Sequence, residues 1–144
     1  MVTVEEVMTK DVVTVEGDKT VLEAAKLMSL NKFSSLVVTN EGKTVGIITE
    51  RDLVRKVLAE DRDPNKLLIY QIMSTELVTT TSETSIESAA TIMTEQKVRR
   101  LPVVKDEKLV GIVTASDIAR HLSDATSNIE MLLRSLRTDP NYSY

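Results

Sequence analysis

The chain has 144 residues, of which 42% are hydrophobic and 28% are charged, and its formal net charge is −4 at pH 7. This composition is typical of a globular protein and excludes a disordered chain. The absence of cysteine excludes disulfides and thiolate metal sites, and a single histidine, His121, leaves little material for a zinc site or a Ser-His or Cys-His pair.

The acidic balance disfavours nucleic-acid binding, which usually needs a basic face, but it allows a local basic pocket for one small anion. The apolar runs are far too short to span a membrane. Residues 1–6 contain no basic region followed by an apolar stretch, so we expect no signal peptide and a cytoplasmic location.

The first half of the chain predicts a strand, a helix and a hairpin. Residues 12–15 form a short apolar strand, and Thr20 with Glu23 forms a capping box at the start of a helix. Apolar residues follow at helical spacing: Val21, Ala24, Ala25 and Met28. The strands of the hairpin cover residues 36–39 and 45–48, around the turn residues Asn40 and Gly42.

A second helix starts near Thr49, and Pro64 ends it within a polar joint over residues 61–66. The first half therefore has the order β-α-β-β-α. The second half repeats it after a shift of 65 residues without a gap, with about 16 of 55 aligned pairs identical. The equivalent strands cover residues 77–80, 101–104 and 109–113, and the equivalent helices contain Ile86, Ala89, Ala90 and Met93 or start near Thr114.

The repeat predicts an α+β fold with four parts. These are a first repeat over residues 1–62, a linker over 63–66, a second repeat over 67–124, and a C-terminal helix and tail over 125–144. The C-terminal helix is predicted over residues 127–136 from a stripe of apolar residues at helical spacing: Ile129, Leu132, Leu133 and Leu136. This stripe either packs on its own module or a second copy, or contacts another protein.

The most specific local pattern is Gly-apolar-apolar-Thr-x-x-Asp, which occurs at residues 46–52 and 111–117. It predicts a strand that ends in a threonine opening a helix, where exposed N–H groups attract anions and an aspartate can accept two hydrogen bonds from a sugar diol. The other interpretation is a capping box, worth about 1 kcal/mol of helix stability. In one copy alone, the pattern favours the cap.

The chain resembles the CBS domain over about residues 3–123. The features that carry the resemblance are the tandem β-α-β-β-α unit, the openings at Met8-Thr9 and Met73-Ser74, the stretch 98–104 and the two Gly-x-x-Thr-x-x-Asp endings. Two such domains form a CBS pair, or Bateman module. The resemblance implies that the repeats pack through their sheets about a pseudo-twofold axis, leaving two clefts. Many family members bind AMP, ADP, ATP or S-adenosylmethionine there, with the aspartate holding the ribose hydroxyls.

The resemblance assigns site residues to each cleft by motif. One cleft would combine Thr49 and Asp52 with Met73, Val78, Val98, Arg99 and Arg100. The other would combine Thr114, Ser116 and Asp117 with Met8, Val13, Phe33, Ser34 and Ser35. Because of its two arginines, we expect the first cleft to favour a multiply charged phosphate chain.

Some of these residues also have purely structural interpretations. The two arginines suit a solvated pair beside an edge strand, Phe33 suits a core position, and the valines would contribute through their backbone groups. The first repeat departs from the family pattern with Val37 where the second has Pro102, which predicts a difference in strand geometry.

The resemblance therefore implies a regulatory module that senses an adenosine derivative and signals by conformational change to a partner protein. We expect a homodimer that is not an enzyme and that requires no cofactor or metal. One alternative is a structural or oligomerisation module with vestigial clefts. Another is nucleic-acid binding through the small basic patch of Lys97, Arg99 and Arg100.

Overall fold

The computed structural model describes residues 1–122, so the predicted C-terminal helix over 127–136 lies outside the described residues. The chain divides into two compact units, Val13–Leu77 and a second unit that combines Met1–Val12 with the chain from Val78 onward. Within residues 1–122, no helix has the length and apolar character needed to cross a bilayer.

The strands and helices follow the predicted repeat. In chain order they are α1 (Val4–Val7), β1 (Thr14–Glu16), α2 (Val21–Asn31), β2 (Ser35–Asn40), β3 (Lys43–Thr49), α3 (Glu50–Asp52), α4 (Ile86–Gln96), β4 (Arg100–Lys105), β5 (Lys108–Thr114) and α5 (Ala115–Leu122). A π-helical segment, Leu53–Leu58, continues α3, and Ile69–Gln71 forms a 3₁₀ turn. The mixture of helices and strands confirms the α+β class.

In the unit Val13–Leu77, β1 pairs parallel with β2, and β2 pairs antiparallel with β3. The helix α2 begins as predicted, because the Thr20 hydroxyl accepts the Glu23 amide and the Glu23 carboxylate accepts the Thr20 amide. Its buried residues Val21, Ala24 and Met28 contribute to one core together with residues from the sheet and from the segment after Pro64. These include Leu36, Val38, Ile48, Leu67, Ile69 and Ile72.

The second unit is built on the antiparallel pair of β4 and β5, in which Arg100 lies opposite Thr114 and Leu101 opposite Val113. Its core combines α4, α5 and the two strands with Val4 from α1. The helix α1 was not predicted, although Thr3 and Glu6 carry the signature of its capping box. The hydrogen bond from the Thr3 amide lowers the pKa of the Glu6 carboxyl. The stabilisation of α1 by this bond is therefore present above that pKa and is lost as the pH falls through it.

The strand predicted over residues 77–80 was wrong in extent. Only Thr80 pairs, as a parallel bridge to Val103, in the register that Val15 and Val38 have in the first unit. The Thr80 amide donates to Pro102 O at 3.0 Å, and the Val104 amide donates to Thr80 O at 3.0 Å. Because proline has no N–H, Pro102 cannot donate the bond that would extend this ladder toward residue 78.

The opening segment of each repeat lies in the unit that holds the other repeat's hairpin. Thr9 forms an antiparallel bridge with Ile112, and Ser74 forms the equivalent bridge with Ile47. The bonds Thr9 N to Ile112 O and Ser74 N to Ile47 O are both 2.9 Å long. The compact units therefore do not follow chain order, whereas the boundaries assigned to the two repeats and their linker stay a prediction.

Replacing Thr80 with valine should stabilise the second unit by about 1 kcal/mol, because a buried hydroxyl without a partner carries a desolvation cost. Thr80 is 6% exposed, and its Oγ1 has no hydrogen-bond partner among the described residues. Valine occupies the equivalent position, Val15, in the first repeat. Urea unfolding measures the effect, with Thr79→Val as a control at a neighbouring, less buried threonine. A loss of stability in Thr80→Val alone would contradict the expectation.

Candidate functional site

The two Gly-x-x-Thr-x-x-Asp motifs form capping boxes where a strand passes into a helix. At the end of β3, the Asp52 amide donates to Thr49 Oγ1 at 3.1 Å, and the Thr49 amide donates to Asp52 Oδ2 at 2.9 Å. At the end of β5, Thr114 and Asp117 make the same two bonds at 3.1 and 2.9 Å. The capping interpretation of the motif is therefore correct for both copies.

Capping does not explain why the third helical residue is aspartate. The same chain builds capping boxes with glutamate, at Thr3 with Glu6 and at Thr20 with Glu23. Those glutamates are exposed, whereas the side chains of Asp52 and Asp117 are only 14% and 7% exposed. A buried carboxylate is costly unless it is paired, so both aspartates need partners beyond the cap.

The second oxygen of each aspartate faces a cation from the same helix. Lys56 Nζ lies 3.1 Å from Asp52 Oδ1, and Arg120 Nη2 contacts Asp117 Oδ1. Each carboxylate thus uses Oδ2 for the cap and Oδ1 for the ion pair. Because a carboxylate oxygen has two lone pairs, Oδ1 retains acceptor capacity for a hydroxyl group.

We call the groups around Asp52 the Asp52 cluster: Ser34, Ser35, Thr49, Asp52, Lys56 and Met73. The Glu50 amide at the start of α3 donates to Ser34 O at 2.9 Å, and Ser35 lies opposite Thr49 in the sheet. Met73 packs over Gly46, where an added Cβ would lie 2.8 Å from its Sδ. Besides its carboxylate, the cluster contains hydroxyl side chains and one lysine.

The equivalent Asp117 cluster contains Met8, Arg99, Arg100, Thr114, Asp117 and Arg120. The Ala115 amide donates to Arg99 O at 2.8 Å, and Arg100 lies opposite Thr114. Met8 packs over Gly111, with its Sδ 2.5 Å from an added Cβ. The pattern of backbone contacts repeats that of the Asp52 cluster, but two arginines replace the two serines.

Electrostatics in the Asp117 cluster favour an anion. Burial, together with the charge of Arg99, lowers the pKa of the Arg100 guanidinium, while Asp117 acts in the opposite direction. Arginine stays protonated in proteins, so the half-buried Arg99 and Arg100 place two positive charges side by side at a cost in repulsion. A phosphate group beside them would offset that cost.

Within each unit, the structure brings together predicted residues that the resemblance assigns to different clefts. Arg99 and Arg100 lie with Thr114 and Asp117 in one unit, whereas Ser34 and Ser35 lie with Thr49 and Asp52 in the other. The resemblance had paired the arginines with Asp52 and the serines with Asp117, across the two units. That cross-pairing stays a prediction. The predicted hairpin already contained the signal, because antiparallel pairing of residues 101–104 with 109–113 places position 100 beside 114.

The remaining predicted residues fall into two groups. Val98 is buried in the core of its unit, and Val13 and Val78 pack against the cores of theirs, as their apolar character suggested. Phe33 is 38% exposed, so it is not a core residue, and Ser116 is half-buried in the first turn of α5. Sequence reasoning missed Lys56 and Arg120 as partners of the aspartates, although cations three or four residues after an acidic residue on a helix are a recognisable signal.

Metal ligands are scarce in the described part of the chain. Within residues 1–122, no three or more histidine, cysteine, aspartate or glutamate side chains come together in a way that could hold a metal ion.

Comparison with known proteins finds one domain profile that matches the chain twice. The CBS domain profile matches residues 4–59 and 69–124. The CBS domain-containing protein YhcV of Bacillus subtilis is 37% identical over 119 residues, which cover 83% of this chain and 84% of YhcV. Two further curated relatives are longer, and the chain spans 61% and 52% of them.

Two solved structures are similar over most of the chain. The crystal structure of Hypoxic Response Protein I with two coordinated zinc ions has a TM-score of 0.76 at 34% identity, covering 84% of this chain and 99% of that one. The crystal structure of CBSX2 in complex with AMP also has a TM-score of 0.76, at 27% identity, covering 86% of this chain and 98% of CBSX2.

Proposed function

Because the chain belongs to the CBS domain family, with two matched domains, we propose that it is a regulatory module that binds an adenosine derivative and has no catalytic activity of its own. One observation carries the proposal. In each unit a mostly buried aspartate ends the Gly-x-x-Thr-x-x-Asp motif, where Oδ2 serves the cap and Oδ1 keeps acceptor capacity. The AMP complex of a similar protein supports an adenosine ligand.

The proposed chemistry assigns the sugar to the aspartates and the phosphate to the arginines. The ribose hydroxyls donate to Oδ1 of Asp52 or Asp117, because ionised acceptors form the stronger hydrogen bonds. The phosphate of a ligand at the Asp117 cluster lies against Arg99 and Arg100. The Asp52 cluster offers Ser34 and Ser35 in their place, so we expect it to gain less from each phosphate.

Calorimetric titration of the wild-type protein with adenosine, AMP, ADP, ATP and S-adenosylmethionine tests the proposal. Saturable heat with at least one of these ligands is the expected result. No heat with any of them, at high protein concentration, would overturn the proposal and favour a structural or oligomerisation module.

Replacing Arg100 with methionine should weaken AMP binding about tenfold and leave adenosine binding nearly unchanged. The variant loses the guanidinium proposed to contact the phosphate, and adenosine has no phosphate. Methionine keeps the length and apolar stem of the side chain. Titrations in Asp52→Glu and Asp117→Glu backgrounds identify the cluster to which the arginine belongs. An AMP effect that persists when only the Asp52 cluster is intact would contradict the assignment of Arg100 to the Asp117 cluster.

Under this proposal, the ligand signals by increasing the population of the conformation that binds it. A ligand at about 100 times its dissociation constant stabilises the conformation that binds it by about 2.7 kcal/mol. We propose that a partner protein responds to this conformation, that the module acts as a homodimer and that it works in the cytoplasm. Chemical crosslinking with and without AMP, followed by mass measurement, tests the dimer, and an unchanged monomer in both samples would contradict it.

A further inference from the structure

Lys56 makes two contacts that connect Asp52 to Ile72, which lies 16 residues after Lys56 in the sequence. Its Nζ lies 3.1 Å from Asp52 Oδ1 and donates a hydrogen bond of 2.7 Å to the carbonyl oxygen of Ile72. The lysine side chain is 46% exposed, whereas the Asp52 side chain is 14% exposed and Ile72 is buried. Lys56 therefore bridges a buried carboxylate and the backbone of a buried residue.

Lys56 lies four residues after Asp52, a spacing at which side chains on one helix meet. It belongs to the π-helical segment Leu53–Leu58, in which the Ala59 amide bonds to Val54 O at 2.8 Å with a five-residue spacing. The chain leaves this segment through Asp61, which has a left-handed φ of 51°, and the Arg62 amide bonds back to Val57 O at 3.0 Å. In α5, which is α-helical over Ala115–Leu122, Asp117 instead pairs with the third residue, Arg120.

Ile72 belongs to a segment that pairs with strand β3 of this unit through Ser74. Its amide donates to Ile69 O at 3.1 Å, and the next residue, Met73, packs over Gly46. Ser74 then exchanges two hydrogen bonds with Ile47, 2.9 and 3.0 Å long. We call residues 69–74 the closing segment. Through Lys56, the carboxylate of Asp52 is tied to this segment, which is itself the start of the second matched region, residues 69–124.

We propose that Lys56 is a positioning residue for Asp52, which keeps Oδ1 oriented for a sugar diol and links its occupation to the order of the closing segment. The inference rests on the proposed function. Removing Lys56 leaves a mostly buried carboxylate without its cation and without the contact that fixes the position of Oδ1. The chain has His121 at the equivalent place in the second repeat, so this link is specific to the Asp52 cluster.

The test uses Lys56→Met and Lys56→Arg in an Asp117→Glu background, so that calorimetry reports the Asp52 cluster. We expect Lys56→Met to weaken adenosine and AMP by the same factor, about tenfold, because Lys56 acts through the carboxylate and not on phosphate. Lys56→Arg should restore most of the affinity. Arg55→Met is the matched control, because it removes the same charge from the adjacent exposed residue and should change neither affinity.

Amide hydrogen exchange at Ser74 tests the link to the closing segment. Without ligand, exchange in Lys56→Met should be about tenfold faster than in the background protein, and adenosine should slow it in the background protein more than in the variant. Unchanged affinity for adenosine together with unchanged exchange at Ser74 would overturn the inference.

The possible failures are distinguishable. A loss of AMP affinity without a loss of adenosine affinity would show a direct phosphate contact and overturn the positioning role. No binding of either probe by the wild-type chain would overturn the proposed function and, with it, the ligand part of this inference, while exchange at Ser74 in the ligand-free proteins still decides the link to the closing segment.

Discussion

Replacing Asp117 with glutamate is expected to weaken AMP binding at the Asp117 cluster by about 10- to 100-fold. The protein should stay folded and lose at most about 1–3 kcal/mol of unfolding free energy, because the extra methylene group enters a mostly buried site. Glutamate at this helical position forms a capping box as good as that of aspartate, as Glu6 and Glu23 show in this chain. The extra methylene group moves the carboxylate, however, and a hydroxyl that donates to Oδ1 loses its partner. Calorimetry and thermal unfolding on the same sample measure the two effects.

The matched control is Glu23→Asp, the reverse exchange in an exposed capping box, which should leave AMP binding unchanged. Asp117→Ala is less informative, because it removes the hydrogen bond to the Thr114 amide as well as the proposed ligand contact. Its capping loss alone costs about 1 kcal/mol. If Asp117→Glu bound AMP as the wild type does, Asp117 would serve as a cap and an ion-pair partner only.

Replacing Gly46 with alanine is expected to destabilise the protein by about 1–3 kcal/mol, because the added methyl group overpacks a closed contact. A Cβ at this position would lie 2.6 Å from the carbonyl oxygen of Ser74 and 2.8 Å from Met73 Sδ. The backbone atom is held by the two bonds between Ser74 and Ile47, so it cannot move away without breaking them. Urea unfolding followed by circular dichroism measures the loss.

Gly111→Ala is the internal comparison. Its added Cβ would meet Met8 Sδ at 2.5 Å and the backbone oxygen of Thr9 at 3.0 Å. The sulfur is the end of a flexible side chain, so most of this clash can relax. We therefore expect a smaller loss of stability than in Gly46→Ala. A larger loss in Gly111→Ala would contradict the view that the backbone of Ser74 is the limiting contact.

The local elements could be predicted because their signals are local. The helical spacing from Val21 to Met28 and the glycine-containing turn at Gly42 each specify their own segment. The exchange of the opening segments could not be predicted in this way. The bridges Thr9 to Ile112 and Ser74 to Ile47 join residues far apart in sequence, and nothing in either segment's own pattern names its partner.

The residue types of the site were predictable, whereas the ion-pair partners of the two aspartates were missed. The motif identified both aspartates and threonines, and the structure explains its glycine as the place where Met73 or Met8 passes closely. Lys56 follows Asp52 by four residues and Arg120 follows Asp117 by three, and side chains meet on a helix at both spacings. The residue pattern therefore allows such ion pairs but does not decide between neighbouring cations such as Arg55 and Lys56.

The central claim is that a ribose diol binds to Oδ1 of Asp52 and Asp117. The most direct test compares adenosine with 2′,3′-dideoxyadenosine, which lacks both hydroxyl groups of the diol, on the wild-type protein. Both ligands present the same base and no phosphate, so the difference in affinity isolates the diol. The account predicts that adenosine binds at least about tenfold more tightly, as expected for the loss of hydrogen bonds from the diol to a carboxylate. Equal affinity of the two ligands would contradict it and leave Asp52 and Asp117 as helix caps with ion-pair partners.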